Sequence, residues 1–150
     1  MSNWALISNN ATGTLQLASN TGKGNYSLSI ASAQFNAGSS SLAVQVTLCG
    51  GAGVSIPANG FAFSADVSFQ GYSGFGDDGT GTGSGSPAVL LEAANGFSHI
   101  ITDSASPFSN SYWYTWPDTL TGPSTTTISL RFAPQSPWYG TIYVDNISLK

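Results

Sequence analysis

The chain has 150 residues, 41% of them hydrophobic and only 7% charged, with a net charge of −4. That length suits one domain and one core over residues 1–150, and the supply of Val, Ile, Leu and aromatic side chains excludes a disordered polymer. Lys23, Arg131 and Lys150 are the only cations, too few for the counterion displacement behind nucleic-acid binding, and no apolar run approaches the ~20 residues of a membrane helix.

Average globular proteins are roughly 25% charged. This surface must instead be built from Ser, Thr, Asn, Gln and Gly, which suits a secreted, extracellular protein meeting neutral polar ligands such as sugars. Met1-Ser-Asn-Trp4 runs straight into a strand-like segment, so the chain is expected to be a module of a longer secreted protein. Cys49 is the single cysteine and can form neither an intrachain disulfide nor a zinc set.

No segment joins a 3.6-residue apolar period to good helix formers. Short β-rich runs divided by Gly, Asn, Ser and Pro predict strands at Trp4–Ser8, Thr14–Ser19, Tyr26–Ala31, Ser41–Leu48, Phe61–Phe69, Val89–Ala93, Phe97–Thr102, Ser111–Trp116, Thr125–Phe132 and Gly140–Leu149. Such a set predicts an all-β fold, a sandwich jelly roll of two antiparallel sheets, with any helix limited to a single turn. Trp4 belongs to the core in this reading. In the fifth stretch Phe61, Phe63, Ala65, Val67 and Phe69 share one face, and Ala62, Ser64, Asp66, Ser68 and Gln70 share the other. Thr125–Phe132 repeats the pattern, with Ile128, Leu130 and Phe132 inward and Thr127, Ser129 and Arg131 outward. If the two strands share a sheet, Asp66, Gln70 and Arg131 decorate one solvent-facing surface.

Gly71–Pro87 is the one long loop, rich in glycine and holding Tyr72 and the Asp77-Asp78 pair. Loops of this length are functional or disordered. Tyr72 is a candidate ligand contact; the two acids read as solvated, with a bound cation as the alternative, because catalytic carboxylates need a held geometry. Glu92 lies opposite Val89 and Leu91 in parity and is placed to bond a sugar or pair with Arg131. His99 is the sole histidine, and Gly81-Thr-Gly-Ser-Gly85 is not a nucleophile elbow, since it lies in a loop with the wrong register. Asn10, Asn25 and Asn146 begin Asn-x-Ser/Thr triplets, which matter only in a glycosylating host.

Ser111-Tyr-Trp-Tyr-Thr-Trp-Pro-Asp118 packs four aromatic residues into five positions. In an extended strand Tyr112, Tyr114 and Trp116 share one face and Trp113 takes the other. A core occupies only one face, so at least one large ring is expected outside, where its flat apolar face stacks on the C–H face of a pyranose. Trp138-Tyr139, in a Pro-flanked turn, makes Trp138 a second candidate platform. In the last strand Ile142 and Val144 alternate with Thr141, Tyr143 and Asp145. A buried Asp145 would need water, a hydrogen-bond donor or a cation.

Asn3-Trp-Ala-Leu-Ile-Ser8, Asn25-Tyr-Ser-Leu-Ser-Ile30, Gly60-Phe-Ala-Phe-Ser-Ala-Asp-Val-Ser68, Thr125–Phe132 and Gly140–Leu149 stand in the order of the strands of jelly-roll, galactose-binding-like carbohydrate-binding modules of bacterial glycoside hydrolases. The chain resembles that family, and its closing Tyr143-Val-Asp-Asn-Ile-Ser-Leu149 is similar to the segment that ends such modules. The resemblance implies a non-catalytic domain that binds a polysaccharide or oligosaccharide, sits in a larger multidomain secreted enzyme, and carries a structural calcium with Asp145 as a ligand. The chain departs from the pattern at Met1-Ser-Asn-Trp4, which lacks the family's early calcium-binding Glu, so backbone carbonyls would complete the six to eight oxygens calcium prefers. Scarce charge points to a neutral glycan such as a glucan, xylan or mannan, bound through Tyr72, Tyr112, Trp113, Tyr114, Trp116 and Trp138 with polar contacts from Asp66, Gln70 and Arg131. Two other classes stay open on the residues alone: a structural or adhesion domain with its aromatic rings in the core, and a small glycan-active enzyme using Asp66, Glu92 or the Asp77-Asp78 pair.

Overall fold

Alternation of apolar and small polar residues builds twelve strands among the described residues: β1 (Trp4–Asn9), β2 (Ala11–Ser19), β3 (Tyr26–Phe35), β4 (Ser41–Thr47), β5 (Val54–Ser55), β6 (Phe61–Gly71), β7 (Ala88–Ala93), β8 (Phe97–Thr102), β9 (Trp113–Leu120), β10 (Ser124–Thr125), β11 (Thr127–Phe132) and β12 (Trp138–Leu149). The structure, a computed structural model, describes residues 3–19, 24–36, 40–71, 88–93, 97–102, 113–120, 122, 124–133 and 138–150, with backbone alone at 71, 88–93, 97–102, 114 and 116–118. Each predicted stretch is strand over its described residues, apart from Leu48, which begins a single turn, and Thr126, which separates β10 from β11. Ser111, Tyr112 and the loop from Tyr72 to Pro87 lie outside the described residues.

Two differences have local causes. β3 continues past Ala31 to Phe35 because Ser32 takes a left-handed backbone, φ 51°, and forms a bulge against β12 between Gly140 and Ile142. On the other side of this β3 bulge Gly13 of β2 lies against Ile30 so closely that a Cβ would sit 2.7 Å from Ile30 Cγ2, so any larger residue would have to displace that side chain. Among the described residues β9 ends the sheet and pairs only with β6, and a strand with one neighbour tolerates a residue without an N–H, which lets it run through Pro117.

All pairings are antiparallel. One layer has the order β2-β3-β12-β6-β9 and the other β1-β4-β11; β5 with β10 and β7 with β8 form two small pairs, and β7 runs beside β11. This is the all-β sandwich jelly roll that the strand pattern predicts. Leu28, Ile30, Phe35, Phe63, Val67, Phe69, Ile142 and Val144 from the first layer meet Leu42, Val44, Ile128, Leu130 and Phe132 from the second, all buried. Trp4 packs partly buried against this core.

Trp138 is a correction. It is not a surface platform but a core residue, 2% exposed, with its ring 5.8 Å from Phe35 and 6.2 Å from Phe69. β12 begins at residue 138 rather than 140, so Trp138 falls on the same parity as Ile142 and Val144.

Arg131 is a second correction. β6 and β11 lie in different layers, so the outward face of β11 that carries Arg131 is on the opposite side of the molecule from Asp66 and Gln70.

Candidate functional site

The inward parity of β6, β12 and β3 fixes what the other face of the five-stranded sheet presents. Directly opposed residues in antiparallel strands project to one face. Gln16 pairs with Ser29, Ser29 with Tyr143, Tyr143 with Ser68, and Ser68 with Trp113. These five residues form a row across the whole sheet, about 19 Å long at ~4.8 Å per strand.

Tyr143 stands on the central strand, half-buried, and Trp113 on the outer strand, also half-buried. Their ring centroids are 6.3 Å apart at 45°, within the range of an attractive tilted pair. Ser29 and Ser68, on either side of Tyr143, are 1% and 0% exposed, and their hydroxyls have no hydrogen-bond partner among the described residues. An unsatisfied buried hydroxyl costs about 1–3 kcal/mol. Ser29→Ala and Ser68→Ala are therefore each expected to raise stability by about 1 kcal/mol, or ~2–4 °C in Tm. Thermal unfolding checks this; an unchanged or lower Tm would show that ordered water already satisfies both groups.

Polar side chains extend the face to either side of the row. Gln70 pairs with Thr141, and exposed Gln34 pairs with Tyr139, which is 39% exposed. A glutamine amide both donates and accepts, which matches sugar hydroxyls. On the other side Asp145 pairs with Asp66, and Asp66 with Thr115. Two carboxylates directly opposed would repel. Asn146 separates them: its backbone N–H donates to Asp145 Oδ1 at 2.7 Å and its Nδ2 to Asp66 Oδ2 at 2.7 Å. Asn146 reaches both because it sits in a bulge between Asp145 and Ser148 with φ 48°. Thr115 Oγ1 donates to Asp66 Oδ1 at 2.6 Å.

Asp66 is thus on the expected face, but it is 6% exposed and engaged within the protein. It ties β6 to β9 and β12 instead of reaching out to a ligand, a correction to the expectation of direct contact. Tyr72, Tyr112, Asp77 and Asp78 lie outside the described residues, as do the side chains of Tyr114, Trp116, Glu92 and His99. Tyr114 and Trp116 pair in register with Val67 and Ala65. Of the aromatic cluster, Trp113 is the residue whose ring the structure places on the candidate face. Tyr143, Gln16, Gln34 and Tyr139 join it without having been singled out as binding residues. Parity did mark Tyr143 as facing away from Ile142; the missing signal was that β12 is central and separated from β9 by β6 alone.

For a metal, Asp145 offers one carboxylate oxygen, Oδ2, and the backbone of Gly24 is close enough that a Cβ there would lie 3.9 Å from it. No three His, Cys, Asp or Glu residues gather among the described residues. The donor set fits calcium only as one carboxylate completed by neutral oxygens.

No protein-family model and no curated protein sequence matches the chain. Solved structures do. A family 11 carbohydrate-binding module from Clostridium thermocellum, in complex with a beta-1,3-1,4-mixed-linked tetrasaccharide, is similar over 99% of this chain and 89% of its own, at 16% identity and a TM-score of 0.57. A structure of carbohydrate-binding modules from the β-sandwich superfamily reaches a TM-score of 0.62 at 12% identity, over 99% of this chain and 57% of its own. A module described for specific mannan recognition gives 0.54 at 12% identity, over 99% of this chain and 88% of its own. At these identities the likeness establishes architecture: the chain has the jelly-roll β-sandwich fold that these carbohydrate-binding modules share.

Proposed function

We propose that the protein is a non-catalytic carbohydrate-binding module that holds a neutral polysaccharide on the outer face of its five-stranded sheet. The observation that carries this is the row joining Tyr143 and Trp113 across three adjacent strands, with glutamine amides around it. Two tilted rings offer apolar faces to the C–H faces of successive sugars, and Gln16, Gln34 and Gln70 bond their hydroxyls. Each exposed polar bond adds about 0.5–1.5 kcal/mol, so affinity is modest. On a secreted enzyme the module would act by raising the catalyst's effective concentration at its polymer. The fold shared with modules described as tetrasaccharide-bound and mannan-recognising supports the reading.

Affinity electrophoresis through gels of β-glucan, xylan, mannan and galactan, with fluorescence titration of the tryptophans, tests it. Retardation in at least one gel without release of reducing sugar is expected. Normal migration in every gel, with no fluorescence change, would leave the adhesion or scaffold reading in its place.

We also propose Asp145 as the carboxylate ligand of a structural calcium. Calcium at about 100 times its Kd should then stabilise the fold by about 2.7 kcal/mol, or roughly 5–11 °C in Tm, and Asp145→Asn should abolish the difference between calcium and EDTA. Equal melting curves for the original chain in the two buffers would sink the proposal.

A further inference from the structure

We propose that two copies of this chain join edge to edge through β2, in a two-fold dimer whose five-stranded sheets run on as one sheet of ten. β2 ends its layer, and among the described residues no strand or turn bonds its outer side. Its register shift with β3 lies between Thr12 and Thr14 and leaves Thr14 to Ser19 as a regular run, where alternate residues turn their N–H and C=O groups away from β3. Proteins block such edges with charge, proline or a covering segment. The opposite edge has the first two: β9 carries Pro117 and Asp118. β2 has neither, and residues 1–22 hold no charged side chain and no proline. In a chain of net charge −4, that neutral edge is where a second copy approaches without like-charge repulsion.

The side chains fix the register. Leu15 and Leu17 pair with Ile30 and Leu28, both buried, so the two leucines stand on the core-facing side of the sheet. Leu15 packs against the core, but Leu17 is 60% exposed: β2 overhangs the three-stranded layer there and leaves a core-parity leucine in water. Directly opposed residues of antiparallel strands share a face. A pairing that sets Gln16 against Gln16 of the second copy therefore sets each Leu17 against a Leu15, and each Thr14 against an Ala18. A slip by one residue would turn the leucines toward the other copy's polar face, and a slip by two would leave one leucine pair in place of two. On the outer face the two Gln16 amides meet, each able to donate and accept. The rows that run from Gln16 to Trp113 then join end to end across ten strands, about 43 Å. With the β9 edge blocked, the pairing is isologous and closes at two copies. Six residues a side are far fewer than the ~20–30 of a standard interface, so the dimer is weak. It forms whether or not the sheet face binds sugar.

The test is sedimentation equilibrium of the full chain without glycan, with a reductant to keep Cys49 a thiol. The weight-average mass should climb from 15.4 kDa toward twice that value as concentration rises from about 10 µM to about 1 mM. Leu17→Lys places a charge on the edge at an exposed position, so it should melt normally and raise the dimer Kd at least about tenfold. Gln16→Cys in a Cys49→Ser background should oxidise to a disulfide-linked dimer, because directly opposed Cα atoms lie within disulfide reach, while Ala18→Cys, which faces Thr14, should stay reduced. The dimer is overturned by the mass of one copy throughout the range, by growth past two copies, by undiminished association of Leu17→Lys, or by equal cross-linking at positions 16 and 18. With no sugar present, none of these outcomes bears on the carbohydrate reading, which retardation in the polysaccharide gels decides separately.

Discussion

Tyr143→Ala is expected to weaken polysaccharide binding roughly 30-fold, about 2 kcal/mol, the scale of a central aromatic anchor. Its ring sits on the middle strand, next to Trp113 at 6.3 Å, so its loss removes one stacking surface and the lateral support of the other. Trp113→Ala should act in the same direction but less, because it lies at the end of the row. The fold should survive both, since each ring is on the outer face and half-buried. Affinity electrophoresis against the best glycan, with a melting curve for each variant, reads the result. Full retardation of both variants would move the binding surface off this sheet.

The opposite outcome is expected at Trp138. The indole is 2% exposed and wedged between Phe35 and Phe69, and Phe69 in turn packs edge-on against Phe132 of the other layer. Trp138→Ala should cost about 3–5 kcal/mol and lower Tm by roughly 6–20 °C, while the fraction that stays folded binds with unchanged affinity. Trp138→Phe, which keeps most of the volume, should recover more than half of the loss. A Trp138→Ala protein that melts normally but no longer binds would restore the surface role and contradict the packing described above.

The contrast between these two residues shows what was legible in the chain. The strands were, because period-two alternation is a local property: Phe61 to Phe69 and Thr127 to Phe132 carry it openly. Trp138 was legible in principle, since it shares parity with Ile142 and Val144, but Pro137 read as a turn and cut the strand short at Gly140. The side on which Arg131 lies was not, because a jelly roll pairs strands far apart in sequence and local pattern cannot assign β6 and β11 to different layers. Tyr143 was half legible: alternation gave its face, and only the order β12-β6-β9 gave its neighbour. Asp66 looked like a surface acid because the donors that enclose it, from Thr115 and Asn146, come from 49 and 80 residues away.

Cys49, the chain's one thiol, is exposed in the turn after β4, and β4 belongs to the layer that does not carry Tyr143 and Trp113. A maleimide dye, spin label or sensor-chip linker attached there reaches a single defined position. Immobilised through it, every molecule would be tethered at the same point, on a turn that lies outside the five-stranded sheet.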